Sequence, residues 1–564
     1  METRRNLLAV FLISIIIILT PKWMSLFAPQ EKIILNNQEI SRDNNENLST
    51  ITAQAVFSNN ILNSQALLEK IIYIETDLFF ASISNRSGGS FVSYKLKNFS
   101  SGYNFSGFYS DSIQVELINE NNFSSCMPCI RHKDGFSGQI NYYNQLFNYN
   151  GSDTIYIAGE DSQELIFSFK TADGGLINKK VLIKGNSYTI NNSFEFLNVQ
   201  FNYSDNIELA WIDGLLPTEK VENEDVQNAS FIAALGDDYE KFYYTGSDSI
   251  LYEPFSGNTS WVGIKNKYFL MSLIPSKLGS GAAHSYRSLS FGDRNVTPLY
   301  SAFISFPASN NFSLSSRLFL GPLDYNILKK ENAGLENAIS FGWTIIHPFS
   351  KGILFVLMFL KKYVNNYGVV LVLFAFLIRI LTGPLTKKAA ISSQKMQKIQ
   401  PQIKKIQKKF AGNPQKLNAE TIALYRDSGV NPLGGCLPVL IQMPLLFSLF
   451  LVFRTTIEFR GANFMFWIND LSQPDAIFEL PFSIPLYGSY VCVLPLLMSI
   501  TMFVQQSYTM SSSVDKNQKL MMQSMSLVFF LIFNSFPSGL NLYYTVSNIL
   551  NIFQQRTIKK SLNP

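Results

Sequence analysis

Histidine and charge are scarce in this 564-residue chain. Its three histidines, His132, His284 and His347, supply a catalytic constellation poorly. There is no G-x-S-x-G, no H-E-x-x-H, no Walker loop and no G-x-G-x-x-G between a strand and a helix. The usual hydrolase, metalloprotease and nucleotide-binding signatures are therefore missing, and no enzyme or cofactor is indicated. A solute transporter should show internal repeats with broken helices in matching halves, and none is visible. Charged residues make up only 15% of the chain against 47% apolar. The net charge of +5 matters through its distribution, not its total.

Cysteine is also rare. Cys126 and Cys129 form CMPC, followed by His132. A thioredoxin-like motif should lie near a βαβ unit, which is absent. A zinc site needs a fourth ligand, for which no spacing signal exists. A local disulfide in an oxidising compartment, or two incidental thiols, is the simpler reading. Cys436 and Cys492 fall in apolar segments and read as small apolar residues.

What is abundant is apolar sequence, clustered near the N-terminus and after residue 340 around a polar middle. Arg4 and Arg5 precede an apolar run from Leu7 to Leu19, continuing weakly to Phe27. A cleaved signal peptide has a similar layout. Here no small-x-small site follows, and Pro21, Lys22 and Trp23 suit an interfacial anchor. A retained first span within residues 1–28 is expected. Further spans are expected at Tyr367–Gly383, Leu433–Phe453, Leu486–Val504, Leu520–Phe536 and Leu540–Ile558. Their ~17–21 residues, rising ~1.5 Å each, suffice for a ~30 Å hydrocarbon layer, the shorter ones marginally. FPSG (Phe536–Gly539) punctuates the last two. Pro348–Leu360 is short for a span and reads as an interfacial helix.

Loop charge fixes the orientation. Between Leu385 and Pro432 lie nine lysines and Arg426, opposed by Glu420 and Asp427. Arg556, Lys559 and Lys560 close the chain. Basic short loops stay in the cytoplasm, so six spans put both termini inside and residues 30–346 outside. The expected organisation is an anchor at 1–28, a linker at 29–55, an outer domain at 56–325, connecting and interfacial helices at 326–365, a helical core at 366–558 and a basic tail at 559–564. In the outer domain, segments such as SIQVELI, ELIFSFKT, IELAWI and SAFISF alternate with period two between turn residues. They predict an antiparallel β sandwich.

The basic loop, 386–430, carries helical heptads. Met396, Ile399, Ile403, Ile406 and Phe410 form an a/d seam that Leu417, Thr421 and Leu424 continue after AGNP. An antiparallel helical hairpin is predicted, with Pro401 beginning or kinking its first arm. Lys395, Lys398, Lys404, Lys405, Lys408 and Lys409 then point outward. They form either a solvated face that enforces topology or a docking face for anionic lipid, ribosomal RNA or an acidic targeting partner. Without interleaved aromatics there is no case for sequence-specific nucleic-acid reading.

Arg379 sits inside the expected span Tyr367–Gly383, where a guanidinium costs at least ~3 kcal/mol unless it faces water or protein. It lies ~12 Å along the helix from Lys387, more than its stem comfortably bridges by snorkelling. The spans also hold Gln442, Thr501, Asn534, Asn541, Tyr543, Tyr544, Ser547, Asn548 and Asn551. Singly, each suits an interhelical hydrogen bond. Together with a buried arginine they argue for a wet cavity.

The runs IRILTGPLTKKA, NPLGGCLPVLIQMPLLFSLF (Asn431–Phe450) and FPSGLNLYYTVSNILNIFQQ (Phe536–Gln555) resemble the YidC membrane insertases. That is the bacterial branch of a family that includes the oxidase-assembly insertases of organelles. RRNLL, YIETDLFFASISNRSGG, WVGIKNKYFLMSLIP and LFLGPLDYNIL extend the resemblance over nearly the whole chain. It implies an α-helical polytopic inner-membrane protein with a periplasmic β-super-sandwich. Five core spans would enclose a hydrophilic groove open to cytoplasm and lipid. It implies nascent membrane proteins as clients, the Sec translocon and its accessory subunits as partners, and a ribosome or signal-recognition-particle receptor as visitors. The family's groove arginine corresponds to Arg379 and a groove tyrosine to Tyr544; Gln442 and Asn548 are further candidates. Where Gram-negative relatives often carry threonine one turn before the arginine, this chain has Ala375. A membrane-anchored carbohydrate enzyme is the competing class, and it would need a histidine–carboxylate pair in a sugar cleft.

Overall fold

The structure, a computed structural model, describes residues 68–562 apart from 104–108, 120–123, 136, 139, 220–221, 245–248, 292–293, 343–344, 430–436, 486 and 510–515. The expected first span and linker lie outside the described residues, as does the whole NPLGGC motif, residues 431–436.

Period-two sequence becomes a β region built on two sheets. The first holds β1 (Ile71–Glu75), β2 (Phe79–Ser84), β3 (Ser90–Tyr103), β4 (Tyr109–Ile118) and, after β5 (Cys129–Lys133) and β6 (Ile140–Asn141), also β7 (Thr154–Tyr156). Its order is β4-β3-β2-β1-β7. The second continues with β8 (Ser162–Lys170), β9 (Leu176–Lys184), β10 (Thr189–Leu197), β11 (Asn206–Trp211), β12 (Ser230–Leu235) and β13 (Asp238–Tyr243). β14 (Ser249–Lys265), β15 (Phe269–Pro275), β16 (Gly279–Phe291), β17 (Arg294–Pro307) and β18 (Ser313–Pro322) complete it. Its path is β6-β5-β11-β17-β16-β14-β15-β18-β10-β9-β8, with β12 and β13 attached through β14. One core joins the sheets: the Tyr94 hydroxyl donates to Leu320 O at 2.9 Å, and Phe91 stands 6.5 Å from Trp211. Burying each such large side chain is worth ~1.5–3 kcal/mol.

Alternation is regular along β9, where Ile177, Lys179, Val181 and Ile183 all point inward. Lys179 is the exception in chemistry. Its Nζ donates to Gly89 O at 3.0 Å and Pro128 O at 2.8 Å, and burial lowers its pKa to about 7. Cys126 and Cys129 are joined in a disulfide, packed with Ala210, Ala283 and Phe303. That selects the disulfide among the readings of CMPC.

The helices are α1 (Glu222–Asn228), α2 (Tyr325–Lys330), α3 (His347–Lys361), α4 (Tyr367–Lys409), α5 (Pro414–Asp427), α6 (Leu437–Thr455), α7 (Leu494–Thr509), α8 (Lys516–Phe533) and α9 (Ser538–Leu562). Two expectations need correction. The span from Tyr367 and the first hairpin arm are one 43-residue helix that runs through Pro384 and Pro401. The span expected to begin at Leu486 starts later, because β19 (Ala476–Ile484) pairs with β20 (Gly488–Cys492) and α7 opens only at Leu494. Among the described residues, Tyr367–Lys388 is long and apolar enough to cross a membrane alone, and Met443–Thr455 is a shorter apolar helix. Along the expected hairpin seam, Ile403, Ile406, Phe410, Leu417, Thr421 and Leu424 are half-buried and Ile399 is buried. The side chain of Met396 lies outside the described residues.

The segment after α6 docks on the β region. Arg460 Nε bonds Glu219 Oε1 at 2.8 Å, with the two side chains 3% and 2% exposed. Arg460 also donates to Ser100 O at 2.7 Å and Thr218 O at 3.3 Å. Nearby, both carboxylate oxygens of Glu458 are buried without a hydrogen-bond partner among the described residues. Burial, and then the charge of Asp324, raises the Glu458 pKa to about 7. The folded protein therefore holds this proton between the ordinary value of 4.5 and about 7, where the unfolded chain releases it. Stability should fall as pH rises through that window and level off above it. Glu458→Gln should leave the thermal midpoint at pH 4.5 nearly unchanged and raise it at pH 8. A midpoint difference independent of pH would rule the titration out.

Candidate functional site

The site is built on α4. Asn366 caps it by accepting from Val369 N at 3.1 Å. Val370, Leu371, Phe374 and Ala375 are buried, whereas Leu373, Phe376, Leu377, Ile380 and Leu381 are exposed. This division at helical spacing gives one packed face and one face suited to lipid. Arg379 follows Ala375 by one turn and shares the packed face, ~18 Å along the helix from Tyr367. Its Nε and Nη2 are buried with no hydrogen-bond partner among the described residues. A guanidinium with two unmet N–H groups among helices demands water or an anionic ligand. Ala375 offers it no hydroxyl.

The opposite wall is α9. Tyr543 packs 5.9 Å from Phe374 and 5.2 Å from the Tyr544 ring. The Tyr544 ring lies edge-on to Phe533 at 6.0 Å, and its buried hydroxyl has no partner among the described residues. Of the two tyrosines, Tyr543 packs on Phe374 of α4 and Tyr544 turns toward Phe533 of α8. Adjacent tyrosines on a helix differ by ~100° in direction, and sequence alone did not resolve which faces α4. Further along, Gln554 Nε2 donates to Gly383 O at 3.2 Å, and a Cβ on Gly383 would stand 3.4 Å from that nitrogen. Asn548 is spent in the other direction, its Nδ2 reaching Thr501 Oγ1 at 3.3 Å and Met498 O at 3.4 Å on α7. It ties α9 to α7. The side chain of Gln442 lies outside the described residues.

One end of the bundle is covered. Ser538 N donates to Gln473 O at 2.8 Å, Gly539 N to Leu471 O at 2.9 Å and Ser538 Oγ to Asp470 O at 2.7 Å. A Cβ on Gly539 would stand 3.1 Å from Leu471 O, so the loop lies tight against the start of α9. Asn541 Nδ2 caps the α8 end through Phe533 O at 3.1 Å. At the other end, Lys395, Lys398, Lys404, Lys405, Lys408 and Lys409 are exposed on α4. The histidines are differently placed. His132 Nε2 bonds Asp205 Oδ2 at 2.9 Å in the buried β core, and His284 is enclosed by Phe231, Phe242 and Phe255. Both histidines are buried in the β region.

Residues 71–355 match the family described as YidC periplasmic domain, and residues 359–564 match the family described as 60Kd inner membrane protein. The membrane protein insertase YidC of Chloroherpeton thalassium is 35% identical over 507 residues, covering 87% of this chain and 83% of that protein. Its counterpart in Pelodictyon phaeoclathratiforme is 31% identical over 563 residues, covering 97% and 94%. Among solved structures, an active YidC insertase with its first transmembrane domain resolved aligns over 86% of this chain and 92% of that chain. Its identity is 19% and its TM-score 0.35.

Proposed function

The chain belongs to the YidC family of membrane protein insertases, and on that premise we propose that it inserts clients through a wet groove lined by α4 and α9, with Arg379 as its charged floor. The observation that carries this reading is the pair of buried, unmet N–H groups of Arg379 on the packed face of an apolar helix. Passing a polar tail across hydrocarbon strips its water, at several kcal/mol per unsatisfied group. A hydrated pocket reaching past mid-membrane shortens the dry path. Arg379 attracts acidic residues of a short client tail, and low surrounding dielectric strengthens that attraction. The client's hydrophobic segment then slides into lipid along the exposed face of α4, and its partitioning supplies the drive. Tyr544 lines the proposed route beside Tyr543, and Gln442 is assigned to client binding as a further polar residue of the spans. With the first span of residues 1–28, the chain crosses the inner membrane six times, both termini cytoplasmic and the β region periplasmic.

Two measurements test the arrangement. A cysteine at Thr382, half-buried one turn beyond Arg379, should react with a membrane-impermeant maleimide added from the cytoplasmic side of inverted vesicles. A site sealed from that reagent would leave the groove without a physical basis. The exposed lysines of α4 are assigned to docking, on anionic phospholipid or an acidic face of a ribosome or targeting receptor, while the Sec translocon joins for larger clients. Changing Lys404, Lys405, Lys408 and Lys409 to glutamine removes four charges, each worth ~1 kcal/mol near an anionic surface. Co-sedimentation of translating ribosomes with reconstituted vesicles should drop at low salt. Unchanged recovery would reduce these lysines to topology signals.

A further inference from the structure

From Ala476 to Cys492 the chain carries one charged residue, Glu479. This stretch folds as the two-stranded hairpin β19–β20, with no third strand among the described residues. Ile477, Phe478, Phe482 and Ile484 are 57%, 60%, 61% and 39% exposed. A lone hairpin is marginal in water, and such a concentration of bare apolar surface needs a cover.

Its anchorage says what the cover is. At the base, Asp475 Oδ2 accepts from Val493 N at 3.0 Å, Leu494 N at 2.7 Å and Trp467 Nε1 at 3.0 Å, which ties the hairpin to the first turn of α7. Asn534, just past α8, donates to Tyr487 O at 2.9 Å and Tyr490 O at 2.5 Å. The Tyr487 ring stands 5.5 Å from Phe530, one turn back inside α8. The tip therefore folds down along a membrane helix instead of away into water. Leu496, Leu497, Ile500 and Phe503 continue the exposed apolar surface on α7, and Met465 and Phe466 lie exposed beside Trp467.

We propose that the hairpin, with Met465–Trp467, is embedded in the outer leaflet, its exposed side chains covered by phospholipid. Open strand edges exclude the hydrocarbon centre, because their N–H and C=O groups would go unsatisfied there. The boundary between headgroups and acyl chains meets both demands, and Trp467, Tyr487 and Tyr490 are the residue types that settle at it. The hairpin thereby fixes the outer ends of α7 and α8 at the membrane surface. This inference rests on the membrane placement of the helices but not on the route a client takes.

The test uses the full chain in phosphatidylethanolamine–phosphatidylglycerol vesicles, with Cys436 and Cys492 replaced by serine and the disulfide intact. Nitroxides are placed singly at Phe482→Cys and Ile477→Cys, with Phe376→Cys on α4 and Asn150→Cys in the β region as references. Both hairpin sites should gain collisions with oxygen and lose collisions with a nickel chelate relative to Asn150, as Phe376 does. Nickel access equal to that at Asn150 would overturn the inference, and exclusion of both relaxants would overturn it in favour of a protein cover. A nickel-accessible Phe376 would remove the membrane placement itself, which separates that failure from a failure of the hairpin alone.

Discussion

Replacing Arg379 with alanine should slow insertion of single-span clients with acidic leading tails about tenfold, while clients with neutral tails lose far less. At an effective dielectric near 20, a carboxylate ~4 Å from the guanidinium gains ~4 kcal/mol. Desolvation of the tail and screening by groove water take back most of it. A residue of ~1.4 kcal/mol is a factor of ten. The measurement is protease protection of clients translated in the presence of reconstituted vesicles, with tail charge varied at constant length. Equal loss for acidic and neutral tails would contradict the electrostatic role. Arg379→Lys should fall between, since ammonium keeps the charge but not the planar fork; damage as great as alanine would assign the effect to guanidinium geometry. Thermal stability supplies the control. Two buried N–H groups of Arg379 are unmet, so alanine should leave the unfolding midpoint unchanged or raise it. Lost insertion at retained stability is the signature of a functional residue, not a structural one.

What sequence could show depended on how local the determinant was. The seam of Ile399, Ile403, Ile406 and Phe410 lies within one helix, so its heptad spacing marked the less exposed face directly. Most strands were legible because alternation is also local. β16 was not, since GSGAAHSYRSLSF has little apolar alternation. Its small residues answer a tertiary demand: a Cβ on Gly279 would lie 2.3 Å from Ile304 Cγ2, and one on Gly281 2.6 Å from Phe255 O. The span expected at Leu486 began too early because an apolar hairpin and an apolar helix share a composition, and length alone could not divide them. Pro401, read as beginning or kinking the first hairpin arm, lies inside α4. Arg379 stood out at once, because an arginine in an apolar run is improbable without a use. Arg460 did not, because its partner Glu219 is 241 residues away and nothing near either residue points to the other.

That distant pair carries the second large effect. Arg460→Ala should destabilise the docked segment by ~3–5 kcal/mol, the range for removing one member of a buried pair. Glu219 would remain charged and enclosed, and Ser100 O and Thr218 O would lose their donor. Phe269, 5.6 Å from the guanidinium, would lose its cation. Hydrogen exchange should report this as faster labelling of residues 456–475 and of the turn holding Thr218, with α4 and α9 little changed. The paired variant Arg460→Met with Glu219→Leu separates coupling from bulk packing. An apolar pair of similar volume removes both desolvation penalties, so it should recover much of what alanine loses. If the double variant is as damaged as the sum of its single changes, the two residues act independently and the link between the outer segment and the β region lies in its backbone contacts. If it recovers, the ion pair fixes the docking geometry at little net gain in stability. Insertion measured on the recovered variant then shows whether that geometry, and with it the cover over the outer end of the groove, is needed for clients to leave sideways into lipid.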